Sequence, residues 1–546
     1  MKDVLVKYKH AFILFLIYFL SELIVNPLGE FPLNDDWAYT KSVLFWFRDG
    51  IYNIGDWPAM TLFTHLSIGL MFVKLFGFSF FILRLSTLIV SLIGLILLFT
   101  IVFKITRNSF TALIACCVLL FNPIYFNLSN TYMTDITFNT VLLFCLYFAF
   151  QFFEYTNWTS FLLFFISAIF LILTRQFALS LVIAFTIACL FVKQQRYVFF
   201  LAACLGTLMV LISLKLYEGH LKEILSSNAA YKFSGGQNPL SYKFWDGFLY
   251  RFKIWHATVL MHILVYTLPV TLLFAISLIK TSKVWIMATM ALVSIAIAHF
   301  IFRDQAFPMG NVYSNAYLGA ETFYENLCRD SKKLVEHSFS QPIEDAMFWF
   351  QQVAISIHLF LILLALTQLK LSVFSKIKNH PFLSFQFLFL ISYSCFIFIS
   401  DNYFDRYHIP LFTAAIIALT YVGRHQTPKL IFSFFYLSFF FCVAVFGTKD
   451  YLKINTIRWE AYHQLKQELK VPADKINGGF EVNCWNEGKA GGWYQYFDLY
   501  NFDYLIQYWK EPGFKNHQAY PFQRYFPFKR DTLFVFKKDT IIQHVD

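Results

Sequence analysis

About thirteen apolar stretches, each near the length of a bilayer span, follow one another along this chain with mostly short polar breaks between them. That pattern leaves little choice of fold. A hydrocarbon core ~30 Å thick takes roughly 20 apolar residues to cross as a helix. Backbone polar groups find no water there, so the spans must satisfy their own hydrogen bonds, which a helix does. With 58% of 546 residues hydrophobic and only 14% charged, an all-α polytopic membrane protein is expected. The net charge of +11 does not point to nucleic acid, because the basic residues fall mainly in the breaks, where positive-inside topology accounts for them. Seven of the nine cysteines lie within apolar stretches as small hydrophobes. Cys328 and Cys484 lie in polar surroundings, and a disulfide between them is left open.

Charge in the breaks orients the spans. Lys2, Lys7 and Lys9 hold the N-terminus in the cytoplasm while 10-28 crosses outward as an uncleaved anchor. Residues 29-80 then form an external loop with amphipathic pieces at 36-48 and 58-76, the second of which has a short span as its alternative reading. Later crossings are expected at 81-103, 109-127, 136-153, 159-174, 177-192, 197-215, 257-279, 284-301, 349-369, 382-400, 409-423 and 429-447. With the second piece interfacial, the breaks holding Lys104 and Arg107, Lys193 and Arg196, Lys280 and Lys283, Lys370, Lys376 and Lys378, and Arg424 and Lys429 all face inward. The chain thus divides into a membrane domain, 1-447, and a non-cytoplasmic tail, 448-546. In the tail, Ile457 to Leu469 reads as a helix and Lys475 to Val482 and Thr532 to Lys537 as strands, which makes a small α/β domain.

The same topology gathers the chemistry-bearing residues on the outer face. Asn34-Asp35-Asp36 sit just beyond the first span, and two adjacent carboxylates beside a membrane are candidates for a base or metal ligand. Capping of the next helix is the competing role for Asn34 or Asp35, as it is for Asp135 at the head of a later span. Asp56, before Trp57-Pro58, has turn initiation as its competitor, and His65 shares its loop. Arg175 interrupts a run of apolar residues and so belongs at an outer turn, either snorkelling to headgroups or meeting a phosphate. Arg84 and Arg406 carry the same two readings. A guanidinium suits phosphate because its planar fork donates two hydrogen bonds and stays charged.

Taken in order, these elements resemble a C-type (GT-C) glycosyltransferase of the family 39 kind, which includes protein O-mannosyltransferases and the lipid A aminoarabinose transferase. Asp35-Asp36-Trp37-Ala38-Tyr39 reproduces that family's acidic pair followed by Tyr, with Asp36 in place of the commoner Glu. Asp56-Trp57-Pro58-Ala59 matches its acid before proline, and Gly77 through Arg84-Leu85 its glycine and Arg-Leu element. Asp135, Arg175 and Arg406-Tyr407-His408-Ile409-Pro410 complete a pattern spread over roughly 10-450, while the tail matches none of it.

The resemblance implies a GT-C-like bundle and inverting transfer of a sugar from a polyprenyl-phosphate donor to a cell-envelope acceptor outside the cytoplasm. On that reading Asp35, Asp36 and Asp135 are the catalytic candidates, and Arg175, Arg406 and Arg84 bind the donor phosphate. Tyr39, His65 and Tyr407 line the acceptor or sugar pocket, and Asp56 or Asp36 is the candidate ligand for a divalent metal. The partners are then the bilayer, the lipid-linked donor and an envelope acceptor, with a bacterial inner membrane as the expected location. A transporter or flippase of lipid-linked glycans is the rival reading, disfavoured by the lack of an internal repeat. A catalytically silent assembly scaffold is a second.

Overall fold

A computed structural model describes residues 2–224, 248–303, 341–368, 380–399, 404–487 and 501–539, apart from 56, 59, 276–278, 280, 281, 427, 429, 430, 509 and 527. Asp56, Cys328, Asp401, Lys280, Lys370, Lys376, Lys378 and Lys429 lie outside the described residues, as does most of the loops 216-256 and 302-348.

The chain is a helical membrane protein with a small C-terminal sheet. Seven described helices are long and apolar enough to cross a membrane, or eight if one bent pair counts as a single span. Trp158–Ile172, Ala178–Phe191 and Ala257–Leu272 are shorter apolar helices. Helix α1 is Lys2–Val25, and the acidic loop beyond it carries α2, Asp36–Asp49, and α3, Phe63–Phe76. Both amphipathic pieces expected in that loop are therefore helices.

The loop is fastened to the bundle at definite points. Thr61 and Thr64 donate from Oγ1 to the carbonyls of Ile172 and Phe170, at 2.8 and 2.7 Å, which ties the start of α3 to the end of α8, Trp158–Ile172. Arg84, on α4, Phe80–Thr106, donates to the carbonyls of Pro27 and Phe31 at 2.5 and 3.1 Å. The chain leaving the first span is thereby folded back onto the bundle.

The span expected at 109-127 is instead two helices, α5, Ser109–Leu120, and α6, Pro123–Ser129, bent by 75°. Pro123 has no N–H to continue the ladder, and Asn122 Oδ1 caps the new start by accepting from the N–H groups of Ile124 and Tyr125 at 2.9 and 3.2 Å. This break turns the chain so that Tyr132 and the head of α7, Thr134–Tyr155, face the acidic loop. Gly69 on α3 admits that approach: a Cβ there would lie 1.9 Å from the Tyr132 hydroxyl.

At the other end of the chain, one helix runs unbroken from Ser433 to Glu468. Its 36 residues measure about 54 Å at 1.5 Å per residue, well beyond a ~30 Å core, so it carries the last span straight into the tail. The expected boundary at 447/448 falls inside it. The tail sheet has the order β1-β2-β4-β3, with β1 Ile476–Asn477, β2 Tyr504–Gln507, β3 Phe514–Gln523 and β4 Arg530–Lys538. β1 and β2 are parallel and the other pairs antiparallel. The strand expected over Lys475 to Val482 stops at Asn477, because Gly479 turns the chain at φ 95° into a helix, Phe480–Glu487. That helix packs on α2, so the tail and the acidic loop lie on one face of the membrane.

Candidate active site

Four separated segments bring two carboxylates and two guanidinium groups together at this face. Asp35 ends the first loop, Asp135 begins α7, Arg175 lies between α8 and α9, Ala178–Ala188, and Arg406 sits in the turn Asp405–His408. Arg175 Nη1 lies 2.8 Å from Asp135 Oδ1. Arg406 stands between the acids, with Nη2 3.3 Å from Asp35 Oδ2 and Nε 4.0 Å from Asp135 Oδ2. The result is a run of alternating charges, Asp35, Arg406, Asp135, Arg175. Its side chains are only 2% to 11% exposed, and Asp35 is the most open at 11%.

Burying four charges is expensive, and a buried ion pair rarely repays its desolvation in stability. The run is therefore weak evidence for stability. Burial works against both cations, yet Asp135 lifts Arg175 above its ordinary range, and Asp35 and Asp135 do the same for Arg406. Both stay charged. The loose contacts of Arg406 matter too: its Nε is buried with no hydrogen-bond partner, so a ligand oxygen could take it.

Asp35 is not a helix cap by its side chain. It is the residue before α2 but makes no side-chain cap bond. Instead Oδ1 accepts from Trp57 Nε1 at 2.9 Å and Oδ2 from Arg406. One donor on each oxygen orients the carboxylate and leaves acceptor capacity on both, since an ionised carboxylate has about four lone-pair sites.

Asp36 points away from this run. Its Oδ2 accepts from the backbone N–H of Tyr132 at 2.8 Å, while Oδ1 is buried without a partner. Burial pushes its carboxyl up to about 8, against the opposing pull of that bond and of Arg84. Its observed role is to clamp α2 to the turn that presents Asp135. Arg84 is likewise turned aside, because its Nη donors go to carbonyls of the loop 27–31.

The aromatic candidates divide in the same way. Tyr407 is shared by both cations, at 5.4 Å from the Arg175 guanidinium and 6.0 Å from that of Arg406. Tyr39 is buried next to the run, with its hydroxyl 3.9 Å from Met60 Sδ. His65 is held on both ring nitrogens, by Thr137 Oγ1 at 2.9 Å and the Tyr132 carbonyl at 3.2 Å. Burial drops it to about 3. It is a neutral ring that donates from Nε2 to the carbonyl, which leaves Nδ1 to accept from Thr137.

Several participants escaped the sequence reading. In the sequence Trp57 reads only as part of the turn at Asp56, and nothing singles out Thr134. Thr134 Oγ1 accepts from Arg175 Nε at 2.9 Å and Nη2 at 2.5 Å. Phe404 lies 4.1 Å under the Arg406 guanidinium. Asp56, the metal candidate, is not among the described residues, which contain no group of three or more His, Cys, Asp and Glu able to hold a metal ion.

Fold and site together define the class: a polytopic helical membrane protein with a buried run of carboxylates and guanidiniums where its acidic loop meets the bundle. Residues 65–217 match the family model of dolichyl-phosphate-mannose-protein mannosyltransferases. That match supports the resemblance carried by the motifs, and it spans His65, Arg84, Asp135 and Arg175 but not Asp35 or Arg406. No curated protein matches the chain in sequence. Two crystal structures of ArnT from Cupriavidus metallidurans are similar at 12% identity and a TM-score of 0.39. The apo structure covers 86% of this chain and 82% of its own, and the structure bound to undecaprenyl phosphate 97% and 98%.

Proposed function

We propose that the chain is an inverting glycosyltransferase that moves a sugar from a polyprenyl-phosphate donor to a hydroxyl of a cell-envelope acceptor on the non-cytoplasmic side. The observation that carries this reading is the charge run itself, in which the most open carboxylate, Asp35, stands beside Arg406, and Arg406 and Arg175 share Asp135. The family match supports the donor class, since that family is described by a polyprenyl-phosphate sugar.

In the proposed reaction Asp35 takes the proton from the acceptor hydroxyl as its oxygen attacks the anomeric carbon. The bond from that carbon to the phosphate oxygen breaks with inversion, and the lipid phosphate leaves with the electron pair. Arg406 and Arg175 meet the charge that develops on it, in a site where burial makes such stabilisation strong. Asp135 holds the two arginines apart and charged before donor arrives. Every step uses this chain's own residues.

Purified protein in proteoliposomes with a polyprenyl-phosphate sugar and envelope extract tests the reading. Release of free polyprenyl phosphate together with a glycosylated product is expected. Movement of intact donor across the bilayer without cleavage would support the flippase instead. Mass spectrometry of envelope glycans from cells with and without the protein identifies the acceptor.

A further inference from the structure

We infer that the C-terminal domain is part of the catalytic site, with Glu481 and Phe480 acting as positioning residues for Asp35. The inference deepens the glycosyltransferase reading and rests on it. Asn34, immediately before Asp35, has a left-handed backbone at φ 53°, which non-glycine residues adopt at a cost. That conformation sets the direction in which the chain enters α2 and hence where the Asp35 carboxylate lies.

The conformation is held from 447 residues away. The buried Asn34 N–H donates to Glu481 Oε1 at 3.3 Å. Glu481 Oε2 in turn accepts from Arg458 Nη1 at 3.4 Å, on the helix that continues from the last span. The helix that continues from the last span thus holds the acceptor that holds Asn34. An unmet buried backbone N–H costs about as much as a lost hydrogen bond, so removing Glu481 lets the turn relax.

A second contact reaches Asp35 from the side. Trp57, whose indole N–H donates to Asp35 Oδ1, packs its ring 5.5 Å from that of Phe480. Phe480 also lies edge-on to Trp37 at 6.4 Å. One turn further along α2, Lys41 donates to the Cys484 carbonyl at 3.1 Å between the rings of Trp37 and Trp485. The short helix Phe480–Glu487 therefore grips both the residue before the proposed base and the tryptophan that orients it.

The test compares Glu481→Ala, Glu481→Gln and Phe480→Ala in the full-length protein, with two readouts. Hydrogen exchange at the amides of 34–38 should rise at least tenfold in Glu481→Ala, and remain near the parent in Glu481→Gln, whose amide oxygen still accepts from Asn34. Turnover should fall about tenfold or more in both alanine variants with KM for donor within twofold, because the arginines are untouched; Glu481→Gln should recover most of it. Unchanged exchange and turnover in the alanine variants overturns the inference. So does a loss of donor affinity that matches the loss of turnover. If the parent itself cleaves no lipid-linked sugar, the functional reading fails, while the exchange readout still decides whether the tail holds the loop.

Discussion

Two buried groups of opposite charges sit at different places in this protein, and they are built differently. In the tail, Arg524 and Asp531 face each other across the β3–β4 hairpin, seven residues apart, with Nε to Oδ2 at 2.6 Å and a second contact from Nη2. At the bundle face, Arg406 reaches Asp35 across 371 residues at 3.3 Å and Asp135 only at 4.0 Å. The first pair is local and tight; it fixes a turn. The second is assembled from four segments and left loose at its centre. Folding alone has no use for such looseness, whereas a site that must exchange a carboxylate for a phosphate does.

The comparison predicts different consequences for mutation. Arg524→Ala leaves a buried carboxylate without its cation, so the tail should lose about 3–5 kcal/mol. Hydrogen exchange in β3 and β4 reads this loss, and the bundle should keep its protection. If the tail is unaffected, the contrast between tight and loose pairs is lost.

Arg406→Gln should cost about 10²–10³ in turnover by analogy with a removed electrostatic donor, and should destabilise the bundle less than Arg524→Ala destabilises the tail, because Asp135 keeps Arg175 and Asp35 keeps Trp57. A fall in stability with turnover intact would make the loose run structural after all.

A subtler outcome is expected at Arg175. Arg175→Lys keeps the charge but cannot reproduce the planar fork, so affinity for polyprenyl phosphate should fall about tenfold, or ~1.4 kcal/mol. Arg175→Gln should be worse. Titration of both variants with the lipid checks this, and unchanged affinity in both would return Arg175 to the role of partner for Asp135 and Thr134 alone.

A pH dependence of stability is expected at Asp36. Its folded value of about 8 lies above the ordinary ~3.9 of an unfolded aspartate. The folded state therefore holds a proton that the unfolded chain releases, and the stability this brings is full below pH ~4 and lost as pH rises through about 8. Asp36→Asn keeps an acceptor for the Tyr132 N–H and no longer titrates. Its advantage over the parent in thermal unfolding should widen between pH 5 and pH 8, and a constant difference would contradict the assignment.

Much of this site was readable before any coordinates, for a physical reason. Asp35, Asp135, Arg175 and Arg406 are charges in or beside apolar segments, and such residues announce themselves because burial penalises them. Their pairing was not readable, since it depends on the bend at Asn122-Pro123 that turns the head of α7 towards the loop. Arg84 looked equivalent to the other arginines in sequence, yet the loop 27–31 folds back and takes up its Nη donors. The rise in polar residues after Phe446 reads as a domain boundary at 447/448, but the helix continues through it, and its polar Thr448, Asp450 and Asn455 are buried against the rest of the protein. Glu481 gave no signal at all, since nothing in a surface-like acidic residue indicates a backbone partner 447 positions earlier.

The central claim is that Asp35 is the base of a transfer reaction and not a structural partner of Arg406. Purified Asp35→Asn protein, assayed for release of polyprenyl phosphate from a lipid-linked sugar alongside binding of the same lipid, tests it most directly. The asparagine keeps the acceptor for Trp57 and the shape of the site but loses the basicity. Release should fall by about 10²–10⁴-fold with lipid affinity largely retained; release at the parent rate would contradict the account.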